Sequence, residues 1–348
     1  MTGLSKEEGI NQVFDGGGHV VILGAGASIA SDKRNPEKNG KTLPSMENLI
    51  DVIGLWDVFE SLSKEIDSTN FETLYSALYE KDPNSQELRN VEKKVYEYFS
   101  SMSLPDEPTI YDYLILSLRS KDLIATFNWD PFLYQAWCRN NKVGDPPYIA
   151  FLHGNVAIGY SNIDKRCGPS GMYAKATGNY MEPTKLLYPV TKKNYQDEFT
   201  QSQWEMLKGW LASESTKRLT IFGYSAPESD FEAVQLMKDA WKQVGQREME
   251  QIEVIDKKSE DVIMKSWEQF TYSGHTDYVT NYFDSILAHN PRRTSESYFN
   301  HYLPLTQAEA FRESNPVPDS FKTLEELWNW HKPLIDAENR KKKEKNES

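Results

Sequence analysis

Residues 19–23 (HVVIL) run without a spacer into Gly24-Ala25-Gly26-Ala27-Ser28, and this junction narrows the available folds sharply. Consecutive apolar, β-branched positions need burial on both faces, the condition of a strand inside a parallel sheet, and the glycines let the backbone turn at once into a helix. Residues 123–127, 148–152, 218–222 and 251–255 read the same way, each separated by enough chain for a helical crossover. Parallel strands require such crossovers, so the pattern predicts an α/β fold with a Rossmann-like parallel sheet.

Almost a hundred residues separate the first two predicted strands. Their apolar residues recur at helical period (Leu49, Ile50, Ile53; Leu74, Leu78; Leu114, Ile115, Leu118), which predicts a helical insertion over 42–118. Residues 32–41 (DKRNPEKNGK) lack periodicity and predict a loop, and 155–215 reads as a loop-rich insertion beside the sheet. Ser5 with Glu8 has the pattern of a capping box ahead of a short opening helix. Beyond 257, residues 263–270, 278–287 and 324–335 all carry helical periodicity. The organisation expected is therefore a sheet domain over 1–257 and a helical C-terminal appendage over 258–348. Residues 340–345 form a short basic run that reads as a solvated helix end.

Composition excludes several classes. The 39 basic and 52 acidic residues leave a net charge of −13, which argues against direct nucleic acid binding, because phosphate affinity needs clustered Lys and Arg. Cys138 and Cys167 are the only cysteines, too few for a disulfide scaffold or a four-thiolate zinc site. No run approaches 18 consecutive apolar residues, and the first eight residues lack the apolar core of a signal peptide, so no membrane contact and a reducing cytoplasmic setting are expected.

The polar residues of interest sit at the carboxyl ends of the predicted strands, where ligands bind in open α/β sheets. Gly24 and Gly26 would let backbone amides approach a pyrophosphate. Ile29, however, stands where the dehydrogenase pattern wants its third glycine, and Asp51, at the distance of that pattern's ribose-binding acid, lies in a segment that reads as helix. The plain alternative is a strand-to-helix turn with no ligand. Asp130, ahead of Pro131, reads as the N-cap of the next helix, but a carboxamide two residues earlier cannot cap that helix, so Asn128 is the more informative residue. Leu152-His153-Gly154 puts an imidazole at the same edge, with an ordinary pKa of about 6.5 that suits a base at neutral pH. His19, His275, His289, His301 and His331 have no such companions and read as surface or packing residues. The fourth strand delivers Gly223-Tyr224-Ser225, which could meet a phosphate or ribose, and Ser229 or Asp230 could cap the following helix. Asp256, after the fifth strand, could accept from a ribose hydroxyl or simply open a loop.

Taken in order, Gly24-Ala25-Gly26-Ala27-Ser28, Thr126-Phe127-Asn128-Trp129-Asp130, Leu152-His153-Gly154 and Gly223-Tyr224-Ser225 resemble the NAD-binding motifs of the sirtuin superfamily over about residues 19–256. The closest resemblance is to the bacterial sirtuin-like proteins of anti-phage defence, which degrade NAD. It implies that Gly24, Ala25, Gly26 and Ser28 contact the pyrophosphate or adjacent ribose, that Asn128 and Asp130 face the nicotinamide ribose, that His153 is the base, and that Gly223 and Ser225 hold the adenosine half. Thr126 and Asp256 complete the expected cofactor-binding set.

Two departures separate the chain from deacylase sirtuins. Those carry a four-cysteine zinc ribbon where this chain has residues 155–215, which hold only Cys167, so no zinc is expected. Their Ile-Pro-Asp-Phe-Arg loop after the glycine turn is replaced here by residues 32–41 and Leu43-Pro44-Ser45. The function implied is an NAD glycohydrolase acting as a defence effector, a homo-oligomer regulated by assembly, by a partner defence protein or by a phage component. A non-catalytic NAD or ADP-ribose binding module, and an ADP-ribosyltransferase or deacylase, are the alternatives.

Overall fold

Residues 18–23 are all buried, and the direction taken by the side chains of residues 20–23 divides the molecule into layers. The computed structural model of the chain describes residues 5–32, 41–190, 193, 195–227, 230–242, 251–267, 270, 276–298 and 315–347. The described residues hold nine strands: β1 (Gly18–Leu23), β2 (Leu123–Thr126), β3 (Tyr148–Phe151), β4 (Ile158–Ser161), β5 (Arg166–Pro169), β6 (Glu182–Pro183), β7 (Thr216–Phe222), β8 (Gln251–Ile255) and β9 (Thr276–Val279). Six of them form one sheet in the order β3-β2-β1-β7-β8-β9, with every neighbouring pair parallel.

Alternation along β1 sends Val21 and Leu23 to one face and Val20 and Ile22 to the other. The first face is covered by the predicted insertion, whose helices are Leu49–Ile53, Trp56–Ile66, Phe71–Lys81, Gln86–Ser100 and Ile110–Ser117. Phe59, Phe71, Leu74, Val91, Val95 and Leu114 form its contribution to that core. The second face is covered by Glu198–Leu211, Phe231–Lys242 and Glu260–Trp267 through Trp204, Leu207, Leu211, Met237 and Trp267. Full burial of one such aliphatic side chain is worth about 1.5–3 kcal/mol, so both layers stabilise the sheet strongly.

Leu23 pairs with Thr126 and Phe222, Thr126 with Phe151, and Phe222 with Ile255, so these strands end on one level. From β1 the chain goes to β2 and β3 on one side and later to β7, β8 and β9 on the other. The reversal of strand order therefore falls at the carboxyl end of β1, directly below Gly24.

Several expectations need correction. Thr276–Val279, within or next to a stretch read as helical, is the sixth strand of the main sheet, with Ile252 opposite Thr276 and Ile255 opposite Val279. Its residues are all half-buried, as an edge strand's are, and the helical spacing of Tyr278, Tyr282 and Ile286 arises because a 3₁₀ turn (Tyr282–Asp284) and a short helix (Ile286–His289) follow at once. The C-terminal helix itself is present as Leu324–Glu347. Residues 155–215 are more ordered than a loop-rich segment: β4, β5 and β6 form a small antiparallel sheet, and Glu198–Leu211 is a full helix. The opening helix carries its predicted capping box between Ser5 and Glu8. Residues 33–40 of the predicted loop, Ser229, His275 and His301 lie outside the described residues.

At the amino ends of the strands, buried charges interlock. Glu338 of the C-terminal helix accepts from Arg292 Nε and Nη2 at 2.8 and 2.6 Å and from Arg293 Nη1 at 2.7 Å. Arg119 pairs with Glu296. His19 is buried between Thr294 and Thr220, and Glu253 accepts from the Ile286 amide at 2.8 Å.

Candidate functional site

At the opposite end the two turns beside β1 and β7 interlock through glycine. A Cβ on Gly24 would stand 2.5 Å from the Gly223 carbonyl oxygen, and one on Gly26 would stand 2.7 Å from the Gly223 Cα. Gly223 itself has φ +61°, a left-handed conformation that any side chain would strain. The glycines thus permit turn-to-turn contact, and the contact uses the turn's amides: Gly24 N–H donates to Phe222 at 3.0 Å and Gly26 N–H to Gly223 at 2.9 Å. Ala25, at the first position of the helix Ala25–Ser31, has an N–H with no intrahelical acceptor.

Beside this turn lies a cavity of about 450 Å³, within the range of about 300–1,000 Å³ typical of small-molecule sites. Gly24, Ala25, Ser28, Asn128, Asp130, His153, Gly223 and Ser225 all line it. Eight of the eleven residues singled out from the sequence therefore meet in one place. The other three do not line it. Gly26 is turned to Gly223. Thr126 is fully buried, with its Oγ1 accepting from the Asn128 amide at 3.1 Å. Asp256 accepts from the Lys258 amide at 2.8 Å, which makes it the start of a loop.

Asn128 is held by three acceptors around its Nδ2: the Gly24 carbonyl at 2.8 Å, Ser28 Oγ at 2.9 Å and Tyr111 Oη at 3.1 Å. A carbonyl only accepts, so it fixes which end of the carboxamide faces the turn. The Oδ1 accepts no described hydrogen bond and belongs to a residue that lines the cavity. Asn155 supports the same segment from behind, donating to the Asn128 and Asp130 carbonyls at 3.1 and 2.7 Å.

Asp130 does two jobs. Its Oδ1 accepts from the Phe132 amide at 3.1 Å and its Oδ2 from Ser28 Oγ at 2.6 Å; the helix runs Phe132–Asn140 with Pro131 at its N-cap, so Asp130 stands one residue ahead of the N-cap position expected of it. Burial pushes its carboxyl up to about 6, against the opposing pull of those two donors.

His153 follows β3 and lies edge-on to the Phe127 ring, with centroids 4.7 Å apart. Phe127 stacks in turn on Tyr224 at 4.2 Å. The His153 Nε2 is buried without a hydrogen-bond partner, 3.9 Å from Asp230 Oδ1. Burial brings the imidazole down to about 4, with Asp230 opposing and Lys193 reinforcing the shift, so the ring is neutral at pH 7.

Tyr111, Asn155, Lys193 and Tyr224 carry this architecture and were not singled out as functional. Tyr111 comes from the insertion, far from any motif, and Lys193 from a segment without periodicity. Tyr224 stood inside a recognised motif, and its position between Gly223 and Ser225 was the available signal. Cys138 and Cys167 are exposed free thiols, and among the described residues no three His, Cys, Asp or Glu side chains group as metal ligands. Among the described residues no helix is long and apolar enough to cross a membrane. No protein-family model matches the chain, and no curated protein is significantly similar to it.

Proposed function

We propose that the chain is a sirtuin-like NAD glycohydrolase, cleaving NAD to nicotinamide and ADP-ribose in the cavity at the carboxyl end of β1. The observation that carries this reading is the pairing of a pinned carboxamide and an orphaned imidazole on one cavity: Asn128 oriented by the Gly24 carbonyl, and His153 Nε2 buried without a partner. Buried polar atoms are nearly always satisfied, so an orphan on a residue that lines a ligand-sized space is best explained by a group that arrives.

The chemistry fits these two groups. As the bond between C1′ and the pyridinium nitrogen breaks, its electron pair passes to the ring and releases neutral nicotinamide. The ribose is left oxocarbenium-like, and a water oxygen bonds to C1′ while its proton passes to neutral His153 Nε2 and then to solvent. Asn128 Oδ1 accepts from a ribose hydroxyl or the attacking water and fixes its direction. Ionised Asp130, held by Ser28, adds negative charge near the developing cation. In this reading Ala25 supplies an amide to the pyrophosphate, and Gly223 and Ser225 flank the adenosine half.

Chromatography of NAD and its products after incubation with the pure protein tests the proposal. Stoichiometric nicotinamide and ADP-ribose are expected, and Asn128→Ala is expected to abolish most of the turnover. Tight NAD binding with no turnover under any assembly condition would favour the binding module instead. A host-toxic activity of this kind calls for control, so the proposed enzyme works as a regulated homo-oligomer in anti-phage defence.

A further inference from the structure

The reading above leaves Asp230, Lys193 and Tyr224 without a task, although all three line the cavity. Lys193 Nζ donates to Asp230 Oδ1 at 2.7 Å and Tyr224 Oη to Asp230 Oδ2 at 2.9 Å. Both carboxylate oxygens are thereby held, and the Lys193 side chain is only 3% exposed. Lys193 and Asp230 thus form a buried ion pair in the cavity wall, with the carboxylate fixed at both oxygens.

The Nε2 of His153 lies 3.9 Å from the oxygen that Lys193 holds. That gap is too long for a hydrogen bond and short for an interaction between charges. If Asp230 served only to balance Lys193, the adjacent imidazole would gain nothing by remaining unpartnered. We infer that Asp230 is the positioning residue for His153: Lys193 and Tyr224 tether its carboxylate so that it stabilises the imidazolium formed during turnover yet leaves Nε2 open beforehand.

The inference rests on His153 being the base. The proton that His153 accepts from water places a positive charge beside Asp230 and leaves it again when solvent takes the proton, so no further reactant is needed. Among the described residues, the titratable side chains that interact with Asp230 besides His153 and Lys193 are the phenols of Tyr195 and Tyr224, whose pKa values are both pushed up by burial and by Asp230, and which stay neutral through the range concerned. Glu232 and Glu72 act on those phenols more weakly. Phe127 packs on the imidazole and carries no charge.

The test is an NMR titration of the histidine side chains in the full chain, with the His153 signal assigned by its loss in His153→Gln. Asp230→Asn removes the anion and should lower the His153 midpoint by about one pH unit or more, whereas Lys193→Met removes the opposing cation and should raise it by a similar amount. With NAD, Asp230→Asn should also reduce kcat about 10-fold or more while KM changes little, as expected for a group acting in the transition state. The order Lys193→Met above wild type above Asp230→Asn supports the inference. Midpoints that coincide in folded proteins overturn it. Should Asp230→Asn fail to fold, Lys193→Met decides alone, since an unmoved midpoint there refutes the coupling. If wild type cleaves no NAD yet the titration order holds, the coupling survives and the assignment of His153 as base is what fails.

Discussion

The two ends of the parallel sheet handle buried polarity in opposite ways. At the amino ends the charged groups are paired: Glu338 meets Arg292 and Arg293, Arg119 meets Glu296, and Arg218 donates to the Thr294 carbonyl and to Gln251. At the carboxyl ends Asn128 is bound on its nitrogen side only, and His153 Nε2 has no partner. This pairing also joins the opening helix segment to the C-terminal helix, because Arg293 donates both to Glu338 at 2.7 Å and to the Ile10 carbonyl at 2.9 Å. Incomplete satisfaction beside a cavity is the ground on which the proposed NAD site rests. Neither burial nor an unmet hydrogen bond singles out His153, since Arg119 Nε and His331 Nε2 are also buried without a partner; what sets His153 apart is that it also lines the cavity.

The comparison breaks or sharpens under substitution at either end. The largest effect is expected from Glu338→Ala, which strands two buried guanidinium groups and should cost about 3–5 kcal/mol of stability while leaving activity per folded molecule unchanged; chemical denaturation and an active-site titration measure both. Next comes Asn128→Ala, which should lower turnover about 100-fold with a far smaller change in NAD affinity by calorimetry, and should also cost about 1–3 kcal/mol of stability because the Gly24 carbonyl, Ser28 and Tyr111 lose their shared donor. A loss of affinity equal to the loss of rate would make Asn128 a binding residue only.

The pH dependence of stability divides the amino-end charges into two signs. Glu253 is pushed up to about 7 from 4.5 by burial, so its contribution favours folding below about pH 4.5 and is lost as pH rises through 7. Glu338 is held at about 2, because Arg292 and Arg293 outweigh its burial; its contribution is present above about pH 4.5 and is lost as pH falls towards 2. Glu253→Gln should therefore stabilise the protein at pH 8 by about 2 kcal/mol and leave it nearly unchanged at pH 4, as thermal melts at the two pH values would show. A smaller effect belongs to Tyr111→Phe. It removes one hydroxyl shared by Ser28 and Asn128 and should cost about 1 kcal/mol, read as a modest fall in kcat.

Much of this was legible before any coordinates. The apolar run into Gly24 disclosed β1 and its turn, because doubly buried strands and tight turns impose local residue choices. The strand ends disclosed Asn128, Asp130 and His153 for the same reason. Thr276–Val279 was hidden because it is short, half-buried and followed at once by helical turns, so its spacing mimics a helix. Tyr111 and Lys193 were hidden because nothing in a local pattern says which distant segment will reach a site. At Gly26 the close approach visible in the structure is that of Gly223, a contact indistinguishable in sequence from the approach of a phosphate.

The central claim is that water, delivered at the carboxyl end of β1, takes the place of nicotinamide on the ribose. Incubating NAD with the protein in water enriched in heavy oxygen, across a range of protein concentrations that includes the assembled state, and weighing the products by mass spectrometry tests it directly. The account predicts unlabelled nicotinamide together with ADP-ribose carrying one heavy oxygen, formed without any peptide and suppressed in Asn128→Ala. NAD that stays intact at every concentration, or that is consumed only when an acylated peptide or protein acceptor is supplied, would contradict it.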